Sequence, residues 1–198
     1  MPHHLAHVIG ARPDLIKAAP VIRALRERGV PQQIVHTGPH DEGMSDAFSR
    51  DLEIPQPDVN LDVGSGTHGE QTAAAMVGLE REWVADPPAL VVIFGDGNSA
   101  LAASLVAAKL RLPSAHVEAG LRSFDRSVAE EVDRMVSDLL ADLLFTTSPE
   151  AEGQLLATGV PADRVRSVGP AGERIADEIV DWLAARKAGD PGTAGSAA

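Results

Sequence analysis

Short apolar runs alternate along this chain with longer stretches in which apolar residues recur every three or four positions. Leu5–Ile9, Gln33–His36, Ala89–Phe94, Ser114–Val117, Leu143–Thr146 and Arg164–Val168 have the length and β-branched content of strands. Between them the periodicity predicts helices over Asp14–Arg28, Asp41–Leu52, Gly69–Val84, Ser99–Leu110, Glu130–Ala141, Pro149–Ala157 and Glu173–Lys187. In the fifth of these, Val132, Met135, Val136, Leu139 and Leu140 form one apolar face. Ile54–Gly66, rich in Pro, Gly and Asp, reads as an extended loop. The alternation implies a single Rossmann-like α/β domain over residues 1–188, with a mostly parallel sheet, right-handed crossovers and helices on both faces. The small and polar residues from Gly189 to Ala198 read as a disordered tail.

Charge falls where the apolar runs end. Arg12 and Lys17 follow the first run, Asp96 the third and Glu118 the fourth, which places all four on one rim of the sheet, where open α/β proteins bind ligands. Arg12 and Lys17 flank the start of a helix, whose free N–H groups and dipole favour an anion such as phosphate. The plainer reading is a solvated Lys17 and an Arg12 paired with Asp14. The segment is neither a G-x-G-x-x-G fingerprint nor a Walker A loop.

Asp96 lies between two glycines that let a ligand approach the backbone, although an Asp there can equally serve as a helix N-cap. His116 and Glu118, two apart, are expected on the same side of an extended segment. No third ligand accompanies them, so no metal and no cofactor is expected. Glu130 and Glu131 open the fifth helix, where its dipole favours carboxylates, and Glu130 stands four residues before Arg134, the spacing of a surface ion pair. From Glu118 to Glu152 there are nine acidic residues and three arginines. Carboxylates gathered in a cleft raise one another's pKa and so prepare proton transfer near neutral pH.

Composition narrows the partners. With 29 acidic residues against 17 Lys and Arg in 198, the formal net charge of -12 argues against duplex DNA or an anionic membrane surface. Aromatic content of 3% without Tyr leaves little for stacking on single-stranded nucleic acid. The absence of Cys removes thiolate chemistry, and no apolar run reaches the ~18 residues of a membrane helix. A cytoplasmic protein without nucleic-acid or membrane partners is the expectation.

With those residues identified, the chain resembles the amino-terminal half of the non-hydrolysing UDP-N-acetylglucosamine 2-epimerases from about His7 to about Ala176. Five segments in the family's order carry the resemblance: Gly10–Pro20, His36–His40, Gly64–Thr72, His116–Arg126 and Glu130–Arg134. It implies the first half of a two-domain fold of the glycosyltransferase-B type, with a UDP-sugar held between the domains. The implied reaction interconverts UDP-N-acetylglucosamine and UDP-N-acetylmannosamine by eliminating UDP to a 2-acetamidoglucal and adding it back. Matching positions make Asp96, Glu118 and the Glu130/Glu131 pair the proton-handling carboxylates, with the motif favouring Glu130, and make Arg12, Lys17, His40 and Arg122 substrate contacts.

The resemblance covers no second domain, so a complementary carboxy-terminal-domain chain is an expected partner, alongside the UDP-sugar and a possible homodimer. A non-catalytic nucleotide-sugar-binding or regulatory domain is the alternative reading. An exposed apolar patch of several hundred Å² would point to a missing partner. Within the motifs the chain departs from the family at Ala11, Asp14, Pro39, Gly97, Ala129, Asp133 and Leu139, which stand for Thr, Glu, Gln, Thr, Pro, Asn and His.

Overall fold

The computed structural model describes residues 4–39, 50–169 and 172–188. Seven strands form one sheet: β1 (Leu5–Ile9), β2 (Gln32–His36), β3 (Val59–Asn60), β4 (Leu90–Phe94), β5 (Ser114–Val117), β6 (Leu143–Thr146) and β7 (Val165–Ser167). Every pairing is parallel, and the order is β3-β2-β1-β4-β5-β6-β7. The chain winds outward from β1 to β3, then restarts beside β1 with β4, so the switch point lies between β1 and β4. The helices are α1 (Arg12–Glu27), α2 (His68–Ala85), α3 (Asn98–Leu110), α4 (Ala129–Leu140), α5 (Pro149–Ala157) and α6 (Gly172–Lys187). The single doubly wound α/β architecture is the one the alternation predicts. Among the described residues, no helix is long and apolar enough to cross a membrane.

Strand residues point alternately to the two faces and build two cores. Leu5, Ile9, Leu90, Val92, Phe94, Val117 and Phe145 meet α1 and α6 on one face. Ala6, Val8, Val35, Val91 and Ile93 meet α2 and α3 on the other. Because strands buried on both faces lack polar alternation, β1, β4 and β6 read as near-continuous apolar runs; with the shorter β2, β5 and β7, six of the seven strands were visible in the sequence.

The seventh, β3, falls inside the stretch expected to be loop. It pairs only Val59 and Asn60 with Val35 and His36, and Asp58 extends the contact by accepting the Ile34 N–H through Oδ2 at 2.8 Å. Two residues carry no periodicity to read. Of the helix expected over 41–52, only the helical Arg50 and Asp51 and the turn residue Leu52 are described. The tail from Gly189 lies outside the described residues.

Helix α4 reverses its expected orientation. Val132, Met135 and Leu139 are exposed, Val136 and Leu140 half-buried, and the buried positions are Glu131, Asp133, Ser137 and Asp138. The apolar face therefore points away from the sheet. The reason is local: the carboxylates of Glu131 and Asp138 are the anchors of the loop that leaves β5.

Candidate active site

Four connections leave the carboxyl ends of the strands on one rim. At the end of β1, Gly10 and Ala11 lead into α1, and Asp14 reaches back to accept the N–H groups of both, at 3.2 and 3.0 Å. At the end of β4, Gly95 adopts φ +77°, and a Cβ there would run into the Asp14 carboxylate. Asp14 thus fills the switch point, where burial pushes its carboxyl up against the lowering effect of the Ala11 N–H and Lys17. The open helix N-terminus expected for an anion is largely occupied: Asp14 takes two donors, and Pro13 has none. An anion at this edge would depend on the side chains of Arg12, which is exposed, and Lys17.

Glu118 stands one residue beyond β5 and Asp96 two beyond β4, on strands whose Phe94 and Val117 are in register. The two residues therefore stand at the carboxyl ends of neighbouring strands. Glu118 adopts φ +64°, and its Oε2 lies 2.6 Å from Lys17 Nζ, each side chain about one-third exposed. His116 turns the other way: its Nδ1 is 2.7 Å from Asp138 Oδ1 on α4, and its Nε2 is 3.0 Å from the Gly95 carbonyl. The expectation that His116 and Glu118 share a side fails because the left-handed residue ends the extended alternation. Both His116 partners are hydrogen-bond acceptors, which fixes the ring between α4 and the turn after β4.

Asp138 is the hub of this loop. Besides His116, it accepts the Gly120 N–H at 3.1 Å and pairs with Arg122 Nη1 at 2.6 Å, and the Arg122 side chain is only 6% exposed. Burial opposes ionisation of Asp138, but hydrogen bonds from His116 and Arg122 outweigh it and hold the carboxyl below its ordinary range. Arg122, expected as a substrate contact, is thus engaged with Asp138 while lining a cavity of about 190 Å³ with Leu121, Ser123, Arg134, Ser148 and Glu150. That volume is below the ~300–1,000 Å³ of small-molecule sites.

The two glutamates at the start of α4 have different surroundings. Glu131 is 2% exposed and accepts the Ser123 N–H and Oγ–H and the Phe124 N–H, at 2.8 to 3.2 Å. Burial raises its carboxyl, yet these donors win and lower it. Glu130 is exposed. The surface pair expected between Glu130 and Arg134 does not form: Arg134 Nε donates to the Glu130 backbone carbonyl at 3.4 Å, and its Nη2 lies 3.4 Å from Asp96 Oδ2. The Asp96 carboxylate, at the rim, outcompetes a partner on the same helix.

Sequence reasoning passed over Asp133 as a site residue. The residue is 6% exposed, and its carboxyl is pushed up to about 6 by burial and then by the negative charges of Glu130 and Asp96, against the nearby His68 and Arg134. Here the crowding of carboxylates has its expected effect. His68 Nδ1 is 3.1 Å from Asn98 Oδ1, and Asn98 Nδ2 donates to Gln71 Oε1, which ties the start of α2 to the start of α3 beside this cluster. Asp14 was overlooked too, although its place three residues past the helix N-cap is where a carboxylate reaches back to backbone donors. His40 lies outside the described residues.

The rim thus gathers several carboxylates beside Arg12 and Lys17, two cations that suit an anionic group. The sequence profile of the UDP-N-acetylglucosamine 2-epimerase family matches residues 23–187. The UDP-N-acetylglucosamine 2-epimerase of Methanocaldococcus jannaschii is 42% identical over 166 residues, 83% of this chain and 45% of that protein. The UDP-2,3-diacetamido-2,3-dideoxy-D-glucuronate 2-epimerase of Pseudomonas aeruginosa is 45% identical over 140 residues, covering 70% and 40%. A crystal structure of the M. jannaschii enzyme in complex with UDP-GlcNAc and UDP superposes with a TM-score of 0.80 at 41% identity, over 84% of this chain and 46% of that one. The chain spans somewhat less than half the length of these relatives. On the profile match and these identities, the chain belongs to the UDP-N-acetylglucosamine 2-epimerase family.

Proposed function

We propose that this domain holds the sugar and diphosphate of a UDP-N-acetylhexosamine. Together with a complementary second domain that binds uridine, it interconverts UDP-N-acetylglucosamine and UDP-N-acetylmannosamine. The observation that carries the reading is the placement of Asp96 and Glu118 at the carboxyl ends of the adjacent strands β4 and β5, with Lys17 on Glu118 and Arg134 on Asp96.

In the forward step a carboxylate takes the proton from carbon 2 of the sugar while the bond from carbon 1 to the diphosphate oxygen breaks. UDP leaves with the electron pair, and a 2-acetamidoglucal remains. In the return step a carboxylic acid protonates carbon 2 from the opposite face, and a diphosphate oxygen reattaches to carbon 1. General acid–base groups and a stabilised leaving group are the two requirements. Asp96, Glu118 and Glu130 handle the protons; Arg12 and Lys17 receive the diphosphate, and His40 contributes to substrate binding. A diphosphate arriving at Lys17 competes for the cation that now holds Glu118, and so releases that carboxylate for proton transfer.

Glu131, whose carboxylate is filled by three donors, supports the reaction by fixing the loop at Ser123 and Phe124. Arg122 acts in the same way through Asp138. The test is proton and phosphorus NMR of UDP-N-acetylglucosamine in D2O with the chain, alone and with a relative's second domain. The expected result is deuterium at carbon 2 and the mannosamine epimer, both lost in Asp96→Asn and Glu118→Gln. Exchange that survives both substitutions overturns the assignment.

A further inference from the structure

We propose that Asp133 is a positioning residue that keeps one proton among the carboxyls it forms with Asp96 and Glu130, so that the acid required by the return step is present near neutral pH. The inference rests on the epimerase reading and adds to it a buried residue beside the reacting carboxyls. Over one turnover one carboxylate gains the proton of carbon 2 and another carboxyl gives one back, so the number of protons on the cluster does not change. The reaction requires only that the cluster hold at least one at the start.

Helix α4 treats its buried carboxyls unequally. Glu131 accepts from Ser123 and Phe124, and Asp138 from His116, Gly120 and Arg122. Asp133, 6% exposed, has no donor or cation within bonding distance among the described residues. One turn on, Ser137 is fully buried and its Oγ is also without a partner. Residues four apart share a helix face, so the two unpartnered groups are neighbours. An ionised carboxylate buried without donors is strongly disfavoured, whereas the neutral acid can donate to a hydroxyl such as that of Ser137. Packing alone does not call for a carboxyl here, since the family carries Asn in this place and an amide buries no charge.

The surrounding charges favour a retained proton. Glu130, one turn back, and Asp96 at the end of β4 oppose a third negative charge, and with the larger effect of burial they push the Asp133 carboxyl up to about 6. The groups that favour its charge are engaged elsewhere: Arg134 holds Asp96 and the Glu130 carbonyl, and His68 is bonded to Asn98. Helix α3, packed against α4, has Lys109 in its last turn as its one charged side chain, and His116 on β5 is turned to Asp138. Coupling between carboxyls is reciprocal, so the protons of such a set belong to the set rather than to one member.

The first measurement needs no substrate. In the chain labelled with 13C at its Asp and Glu carboxyls, the resonance lost in Asp133→Asn is expected to titrate at about pH 6 in the wild type, and at lower pH in both Asp96→Asn and Glu130→Gln. A midpoint that neither substitution moves overturns the shared proton. The second follows kcat against pH with a relative's second domain present. The alkaline fall of Asp133→Asn should begin about one pH unit below that of the wild type, leaving the variant roughly tenfold slower at about pH 8, and Asp133→Glu should restore it. A fall in the same place in the wild type and Asp133→Asn overturns the proposal, because a merely structural residue would leave it there. A wild type that forms no epimer at any pH overturns the epimerase reading and the role in the return step, while the carboxyl titration still decides whether the proton is shared.

Discussion

Asp133 and Glu131 lie two residues apart on α4 and respond to burial in opposite ways. Glu131 has three donors and is held below its ordinary range, whereas no donor or cation among the described residues lies within bonding distance of Asp133, which titrates at about 6. For Asp133 the folded pKa exceeds the unfolded one, so the native state binds the extra proton, and stability falls as pH rises through the window up to about 6. Asp133→Asn is expected to raise stability by roughly 2 kcal/mol at pH 7.5, with the gain vanishing by about pH 4, in urea titrations across that range. Glu131 works the other way: its contribution is present above the ordinary carboxylate pKa and is lost as pH falls through the lowered one. Glu131→Gln should cost about 1–3 kcal/mol at neutral pH, with the deficit shrinking in acid, as its Ser123 and Phe124 donors lose an acceptor. The sequence located both groups in a carboxylate-rich stretch. It could not tell them apart, because the donors to Glu131 come from a loop seven and eight residues upstream and the charges on Asp133 include one from another strand's end.

The turn after β5 depends on glycine at the scale of whole elements. Gly120 has φ +82°, and a Cβ there would collide with the backbone carbonyl of Ala151 in α5. Gly120→Ala is expected to destabilise the domain by about 2 kcal/mol or more, and to weaken the Asp138 contact to its N–H, measured by thermal unfolding together with the 15N shift of residue 120. Replacing the hub itself, Asp138→Asn, should cost about 3–5 kcal/mol, since His116 and Arg122 would be left buried with one fewer charge between them. Most elements were legible because their apolar runs and periodicity are strong, and their boundaries shift by only one or two residues. Helix α4 shows the limit of that reading. Periodicity establishes that a helix has two unlike faces, but only the position of Ser123, Gly120 and His116 determines which face turns inward. For the same reason the Asp96–Arg134 pair was not visible, while the rim itself, which needs only the ends of strands, was.

At the scale of the whole molecule, the proposed function has this domain supply one wall of the substrate cleft. Remote contacts to uridine position the reacting sugar, so their loss lowers the rate as well as the affinity. The chain alone is expected to turn over UDP-N-acetylglucosamine at least a hundredfold more slowly than the same chain with a second domain present, by the NMR assay of epimer formation. Equal rates in the two mixtures would show that this wall suffices. The sheet itself has two wings, β1 to β3 and β4 to β7, which meet beside Asp14. Its carboxylate bonds Gly10 and Ala11 on one wing and fills the space a side chain at Gly95 would need on the other, while a Cβ at Gly10 would run into Ser99. Positions 10, 14, 95 and 99 are therefore sterically coupled. A library that randomises them jointly should recover folded combinations absent from four single-site libraries, with smaller residues at 14 or 99 accompanying any side chain gained at 95 or 10.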